Sequence, residues 1–392
     1  MHDHALQTAV TDADAQQRIG SPDRIEHVRA YPVVQELSQP TQTAWGRYSS
    51  IAIVIVEVRT RQGVVGAGEV LARFAPKAYC ELIQNVLAPR LVGQDPSDIA
   101  ELWLSMRRAL SGRAGGMLVK AIAGIDIALW DIKGRKAGMP IHSFLADRSA
   151  AKVPVYAASI NWSDDEDAIR QVASYKERGF DKIKVKIGRP PKEAAKRIAL
   201  VRKEAGTDIT LYADANWAYA LDEAEYVGHA LAAHGYAWFE EPLDPDDEDG
   251  YEVLARRLTV PLAAGESHFT SRQAKRLIDS GALSYIQPNV TRTGGISETF
   301  STARYAQAEG VTYAAHVGMS GILCETVGLH IAAALGGEAM VECAMAPNRF
   351  KAELADRAPG YVQAHAGCLE VPQGPGLGIS IDWNAVRGMA AS

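Results

Sequence analysis

Cysteine is scarce in this chain of 392 residues: Cys80, Cys324, Cys343 and Cys368 stand far apart, with none of the paired spacings that hold zinc. That argues against a disulfide-built scaffold and fits reduced thiols in a cytoplasm. No apolar run approaches the roughly 20 residues of a membrane-spanning helix. Residues 1–24 are polar and alanine-rich, lack the apolar middle of a secretory signal, and read as a loose extension to which no function is assigned. Basic charge is in deficit, 41 Lys and Arg against 47 Asp and Glu, so no general attraction to nucleic acid or an anionic membrane is expected. No low-complexity linker interrupts the chain, which predicts units rigidly joined. Hydrophobic residues at 47% and charged residues at 22% supply a full core and exclude global disorder.

What the chain does contain is one phrase repeated, an apolar strand ending in a polar residue. It recurs at 182–186, 211–214, 238–240, 262–266, 285–289, 313–316 and 340–342, and the terminal residues lie 23 to 28 positions apart. A strand plus a crossover helix fills that spacing, and a further strand at 153–156 begins the series. The predicted fold is therefore α/β, with parallel strands closing into a TIM-like (β/α)8-type barrel over residues 149–359. In such a barrel the strand C-termini share one face, and chemistry gathers there.

Residues 25–148 read as a separate α+β unit. Strands are predicted at 29–34 and 51–58, the second followed by the turn Arg61-Gln62-Gly63 and a partner strand. Between them, 38–50 is expected to be a loop carrying Trp45, Arg47 and Tyr48, and a second loop is expected at 71–76. Leu118, Ile122, Ile125, Leu129 and Ile132 step by three and four along one helical face, which Gly138 and Pro140 end. The tail regains strand character at 369–382 and is expected to complete this unit (360–392).

Asp214, Glu240 and Glu266 end consecutive strands and should converge on one point. Three crowded carboxylates repel unless protonated or bridged by a cation, and Mg²⁺ suits oxygen ligands with open positions; the plainer reading is three separate surface acids. Lys184 and Lys186, two apart on a strand, point the same way, and two ammonium groups lower each other's proton affinity until one can serve as a base. The plainer reading there is a solvated basic strand, weakened by the interleaved Ile183, Val185 and Ile187. A cation facing a basic lysine suggests one reaction class. The metal holds a substrate carboxylate, the base removes the proton on the adjacent carbon, and the resulting enediolate is stabilised. Glu241 should turn away into a structural salt bridge. Ser267 and His268 could line the rim, and Arg47 and Arg73 are long enough to reach a distal carboxylate or simply to be solvated.

Across roughly residues 25–392 the chain resembles the mandelate racemase subgroup of the enolase superfamily, whose muconate lactonizing enzymes, acid-sugar dehydratases and cycloisomerases share a fold. The matching phrases are Ile125-Asp126-Ile127-Ala128-Leu129-Trp130-Asp131, Lys184-Val185-Lys186, Asp214-Ala215-Asn216, Phe239-Glu240-Glu241-Pro242 and Gly265-Glu266. Gln287-Pro288-Asn289 with Gly294-Gly295, Ala315-His316 and Pro375-Gly376-Leu377-Gly378 complete the set. The resemblance implies a (β/α)7β barrel with an α+β capping domain, and Mg²⁺ on Asp214, Glu240 and Glu266. It also implies Lys186 as acid/base, Lys184 helping to hold the substrate carboxylate, Asn216 and the capping loops with Trp45 and Arg47 contacting substrate, and Glu342 hydrogen-bonding that carboxylate. One departure stands out. The family pairs its strand-seven histidine with an aspartate on strand six, and here His316 faces Asn289. A neutral amide does not hold an imidazolium by charge, so His316 should be less basic, and it could expel a leaving hydroxyl, orient substrate or be structural.

The expected function is Mg²⁺-dependent proton abstraction beside a carboxylate, as a dehydratase of a sugar acid (aldonate or aldarate), a lyase of carbohydrate acid catabolism. A cycloisomerase or lactone isomerase follows, then a racemase or epimerase, and, outside catalysis, a barrel that binds a small acid. The expected partner is a small carboxylic acid in a cytoplasmic homo-oligomer, dimer or octamer as in similar enzymes, with no nucleic acid and no membrane.

Overall fold

The computed structural model describes residues 23–43, 46–110, 115–188, 190–356 and 367–391. Three antiparallel strands, β1 (Ile25–Thr43), β2 (Gly46–Thr60) and β3 (Val65–Leu71), open the chain. The turn at 61–63 closes as predicted, with the Thr60 N–H donating to the Val64 carbonyl. The segment 38–50, expected as a loop, is instead a continuation of the hairpin: β1 and β2 pair on to Thr43 and Gly46 past a register break between Glu36 and Thr41. Its sequence carries no apolar alternation that would mark it as strand, and residues 46–50 are half-buried or exposed. Trp45, placed in that loop, lies outside the described residues.

The helix Gly116–Ala137 packs on β3 and ends at Gly138 in the left-handed conformation, as its periodicity predicts. The approach is so close that a Cβ on Gly68 would lie 1.7 Å from the Gly124 carbonyl oxygen. Only glycine fits there.

Eight parallel strands close the barrel: β4 (Lys152–Ile160), β5 (Lys182–Lys186), β6 (Thr210–Asp214), β7 (Trp238–Glu240), β8 (Leu262–Ala264), β9 (Tyr285–Ile286), β10 (Thr312–Ala315) and β11 (Met340–Ala344). β11 pairs back on β4, Val341 beside Val155, and seven helices cross between successive strands. Tyr156, Tyr212 and Trp238 fill the barrel interior, the last two stacked with centroids 3.5 Å apart. This aromatic plug floors the strand C-termini and keeps water out from below.

The tail touches both units. β12 (Cys368–Glu370) adds antiparallel to β4 of the barrel rather than to the cap, and 379–382 forms only a bridge at Ile381. The helix Trp383–Ala391 then lies against β1. The phrase 125–131 proves to be a clamp. Buried Asp126 accepts from the Ser297 N–H (3.1 Å) and hydroxyl (2.6 Å) at the start of the helix Gly295–Ala308. Buried Asp131 accepts from the N–H groups of Ala67 (3.0 Å) and Leu377 (2.9 Å), binding helix, cap sheet and tail at one carboxylate. No helix among the described residues is long and apolar enough to cross a membrane.

Asp126→Ala leaves the Ser297 donors buried and unmet, and is expected to lower stability by about 1–3 kcal/mol, read from the urea midpoint. Burial pushes the Asp126 carboxyl up to about 7, against a reference of 3.8. Folded protein then holds this proton more tightly than unfolded chain. The group's stability is present below about pH 4 and declines as pH rises through 7. Asp126→Asn should flatten that decline; an unchanged pH profile would remove Asp126 as its source.

Candidate active site

The C-terminal ends of β5 to β11 bring the expected residues into one buried charged cluster. Lys184, fully buried, sets its Nζ 2.7 Å from Glu240 Oε1, 2.8 Å from Glu342 Oε1 and 3.6 Å from Asp214 Oδ2, above the Tyr156 ring at 5.5 Å. Burial alone would lower its pKa, but Glu240 and Glu342 raise it well above the ordinary lysine value. The expected mutual lowering by two ammonium groups therefore fails at Lys184, because three carboxylates outweigh one neighbouring lysine. Lys184 is a fixed cation. Lys186 hydrogen-bonds Asp214 Oδ2 and remains partly open to the pocket.

Asp214, Glu240 and Glu266 are buried on adjacent strand ends, Asp214 directly beside Glu240 in register. Their side chains do not share one centre as expected. Each turns to a protein cation: Asp214 to Lys186, Glu240 to Lys184, Glu266 to His316 and to Arg292 at 3.4 Å. Among the described residues, no three His, Cys, Asp or Glu side chains stand grouped as metal ligands. The donor set itself still suits a hard divalent ion, being anionic, oxygen-only and drawn from three neighbouring strands. Burial, and then the Asp214 carboxylate, push Glu240 well above the usual carboxyl range. An added positive charge would relieve that repulsion.

His316 presents Nε2 to Glu266 and has its Nδ1 3.0 Å from the Asn289 amide nitrogen. The orientation of that amide follows from its other partners. Asn289 Oδ1 accepts from the Thr291 N–H (3.0 Å) and hydroxyl (2.6 Å), and Nδ2 donates to the Val317 carbonyl (3.3 Å). Asn289 therefore offers Nδ1 a donor, so Nδ1 is the acceptor and neutral His316 carries its proton on Nε2. An aspartate here would impose the opposite tautomer. His316 thus presents an N–H, not a lone pair, to the pocket.

Glu342 is held by donors of the chain itself. Its Oε2 accepts from the Val317 (2.7 Å) and Gly318 (2.6 Å) N–H groups and its Oε1 from Lys184. Although burial opposes it, the Lys184 ammonium holds the carboxyl well below its usual range. Asn216, in the left-handed conformation, donates its N–H (2.9 Å) and side-chain amide (3.4 Å) to Asp214 and orients it. Glu241 forms no salt bridge among the described residues. Trp217 Nε1 (2.8 Å), Tyr251 OH (3.0 Å) and the Gly265 N–H (2.9 Å) hold it. Arg47 is exposed on the hairpin, while Tyr48 beside it meets Phe74, ring centroids 5.6 Å apart, joining the hairpin to the 71–76 segment. His268 is buried, which pushes its pKa down to about 4.

Two contributors escaped the sequence reading. Gln287, noted only within its motif, donates to Glu240 Oε2 at 2.9 Å. Arg292 follows Asn289 in a glycine-ended turn, where no strand periodicity fixes its direction. Its position next to the strand-end Asn289 was the one available signal.

Comparison with known proteins agrees with this architecture. Residues 25–146 match the mandelate racemase / muconate lactonizing enzyme N-terminal domain, and residues 167–385 match the enolase C-terminal domain-like family. The chain is 32% identical over 375 residues to D-galactarolactone cycloisomerase of Agrobacterium fabrum, covering 93% of this chain and 98% of that protein. It is 34% identical to arabinonate dehydratase of Saccharolobus solfataricus, over 84% of this chain and 88% of the relative. The crystal structure of L-talarate/galactarate dehydratase from Salmonella typhimurium LT2 liganded with Mg and L-lyxarohydroxamate superposes with a TM-score of 0.84 at 29% identity, covering 96% and 94% of the two chains. With both domains matched and its barrel closed in the same way, this chain belongs to the mandelate racemase / muconate lactonizing enzyme family of the enolase superfamily and is one of its enzymes.

Proposed function

We propose that this enzyme dehydrates a sugar acid, with Asp214, Glu240 and Glu266 holding Mg²⁺. The ion, when bound, supplies charge that stabilises the enediolate of a bound carboxylate. The remaining roles fall to the chain's own residues. Lys184 adds a permanent positive charge beside the substrate carboxylate, kept in place by Glu342 and Glu240. Lys186, in its neutral form, accepts the proton from the carbon next to that carboxylate. His316 gives its Nε2–H as a hydrogen bond to the departing β-hydroxyl. The hydroxide leaves with the electron pair of its C–O bond and takes up, through solvent, the proton that Lys186 removed, so one water is lost and the enol left behind ketonises to a 2-keto-3-deoxy acid.

The observation that carries this reading is the Asn289–His316 contact. Racemisation needs a competent base on each face of the substrate, and a histidine whose Nε2 already bears hydrogen is a donor there. The relatives are named as dehydratases of sugar acids and a cycloisomerase of a sugar lactone, which supports a reaction of this kind. A lactone-opening isomerisation stays the second reading because a ring oxygen could take the same hydrogen bond.

With Mg²⁺ and a panel of acid sugars in D₂O, one member should exchange its α-proton and give a 2-keto-3-deoxy product. A product of unchanged mass would transfer the assignment to isomerisation. Lys186→Ala should lower turnover about 10²- to 10⁴-fold, and near-parental kcat would remove Lys186 as the base. Asn289→Asp should move the His316 proton from Nε2 to Nδ1, visible in imidazole ¹⁵N shifts. The same tautomer in parent and variant would undo the argument for a hydrogen-bond-donating Nε2.

A further inference from the structure

Residues 317–324 follow His316 directly and flank Asn289 on two sides. The Val317 carbonyl and the Ser320 hydroxyl oxygen each accept from Asn289 Nδ2 at 3.3 Å, and the Cys324 thiol donates to Asn289 Oδ1 at 3.7 Å. Ser320, Cys324 and Asn289 are all buried. Two carboxylates grip the backbone of this segment. Glu342, on β11, takes the N–H groups of Val317 and Gly318. Glu69, fully buried on β3 of the cap, takes the Gly321 N–H on one oxygen at 2.6 Å and the Cys324 N–H on the other at 3.3 Å. The cap presses close here: a Cβ on Gly321 would lie 2.8 Å from Glu69 Oε2 and 3.1 Å from Ile53 Cδ1 of β2.

Gly321 and Cys324 open the helix Ile322–Leu335, whose first N–H groups have no partner within the helix. Buried donors without acceptors are costly, and a carboxylate at the positive end of a helix is the strongest acceptor a side chain can offer them. The residue that supplies it stands 252 positions before Gly321, so the anchor exists only while the cap is docked. Asp126 and Asp131 also join distant segments, but they hold the helix Gly295–Ala308 and the tail. Glu69 instead holds the stretch whose own atoms surround the Asn289 amide. Were that stretch to drift, Asn289 would lose partners on both its nitrogen and its oxygen, and its two orientations would approach each other in energy. The flipped amide turns its oxygen to His316 Nδ1 and takes the hydrogen from Nε2.

We infer that Glu69 is a positioning residue of the cap: by anchoring residues 321–324 it fixes the Asn289 amide, and through that amide the nitrogen on which neutral His316 carries its hydrogen. Its effect on turnover rests on the proposed dehydratase reading, whereas its effect on the imidazole does not.

Glu69→Gln keeps the shape but sets an amide NH₂ against one of the two backbone N–H groups. Gly321→Ala pushes the same contact apart from the barrel side and carries the test should Glu69→Gln fail to fold. Both are compared with Asp126→Ala, which loosens a different joint between cap and barrel. In the first two, imidazole ¹⁵N shifts of His316, read in Mg²⁺-loaded protein without substrate, should move toward the average of the two tautomers. Amide exchange at Gly321 and Cys324 should quicken about tenfold or more. Asp126→Ala should leave the His316 shifts parental. With the acid sugar that the parent dehydrates, kcat should fall about ten- to hundredfold in Glu69→Gln while KM barely changes, as for a displaced group that acts in the transition state. Parental imidazole shifts in the variants that fold, or a shift as large in Asp126→Ala, overturn the positioning role whatever the turnover. Shifted imidazoles beside a parent that exchanges no α-proton would keep that role and sink the reaction; exchange with unshifted imidazoles would do the reverse.

Discussion

The structure depends on one buried ammonium group. Lys184 has no access to solvent, and three carboxylates from β6, β7 and β11 are drawn to it at 2.7 to 3.6 Å. Removing either sign from such a cluster would strand the other in a medium that solvates it poorly. The attraction across the barrel aims Glu240, Asp214 and Glu342 toward one axis above the aromatic plug. It also keeps Lys184 charged, whereas Lys186, on the same face of β5, is partly open to the pocket. Depth along a single strand thereby sets the two lysines apart.

A second set of buried carboxylates joins cap to barrel. Asp126 and Asp131 satisfy backbone donors from three distant segments. Glu69 accepts from the Gly321 N–H (2.6 Å) and the Cys324 N–H (3.3 Å) at the start of the helix Ile322–Leu335. Burial pushes Glu69 up to about 7, so the joint includes a carboxyl that is protonated easily.

The barrel was legible because parallel strands put their last polar residue on the same face at a near-constant interval, and each interval holds one helix. The metal-type acids, the lysine pair and His316 were all found that way. The hairpin extension was not, since strands outside a core have no apolar alternation to show. The ionisation of Lys184 was missed for a different reason. Strand alternation placed Lys186 beside it, but only the closed barrel brings Glu240 and Glu342 across from 56 and 158 residues away in sequence. Arg292 sits in a turn, where spacing says nothing about direction.

Asn289 shows how far one atom can carry a mechanism. Replacing a carboxylate oxygen by an amide nitrogen changes neither shape nor hydrogen-bond distance at His316 Nδ1; it reverses which partner donates. The reversal passes through the imidazole, so in the neutral ring Nε2, which faces Glu266, carries the hydrogen it would otherwise lack. Thr291 and Val317 lock the amide so that it cannot flip to restore the old polarity. With the roles proposed for Lys186 and His316, a base on one side and a donor on the other make the site asymmetric. That asymmetry suits a reaction in which a proton leaves one carbon and an oxygen leaves its neighbour, and it disfavours one that must run equally from either face.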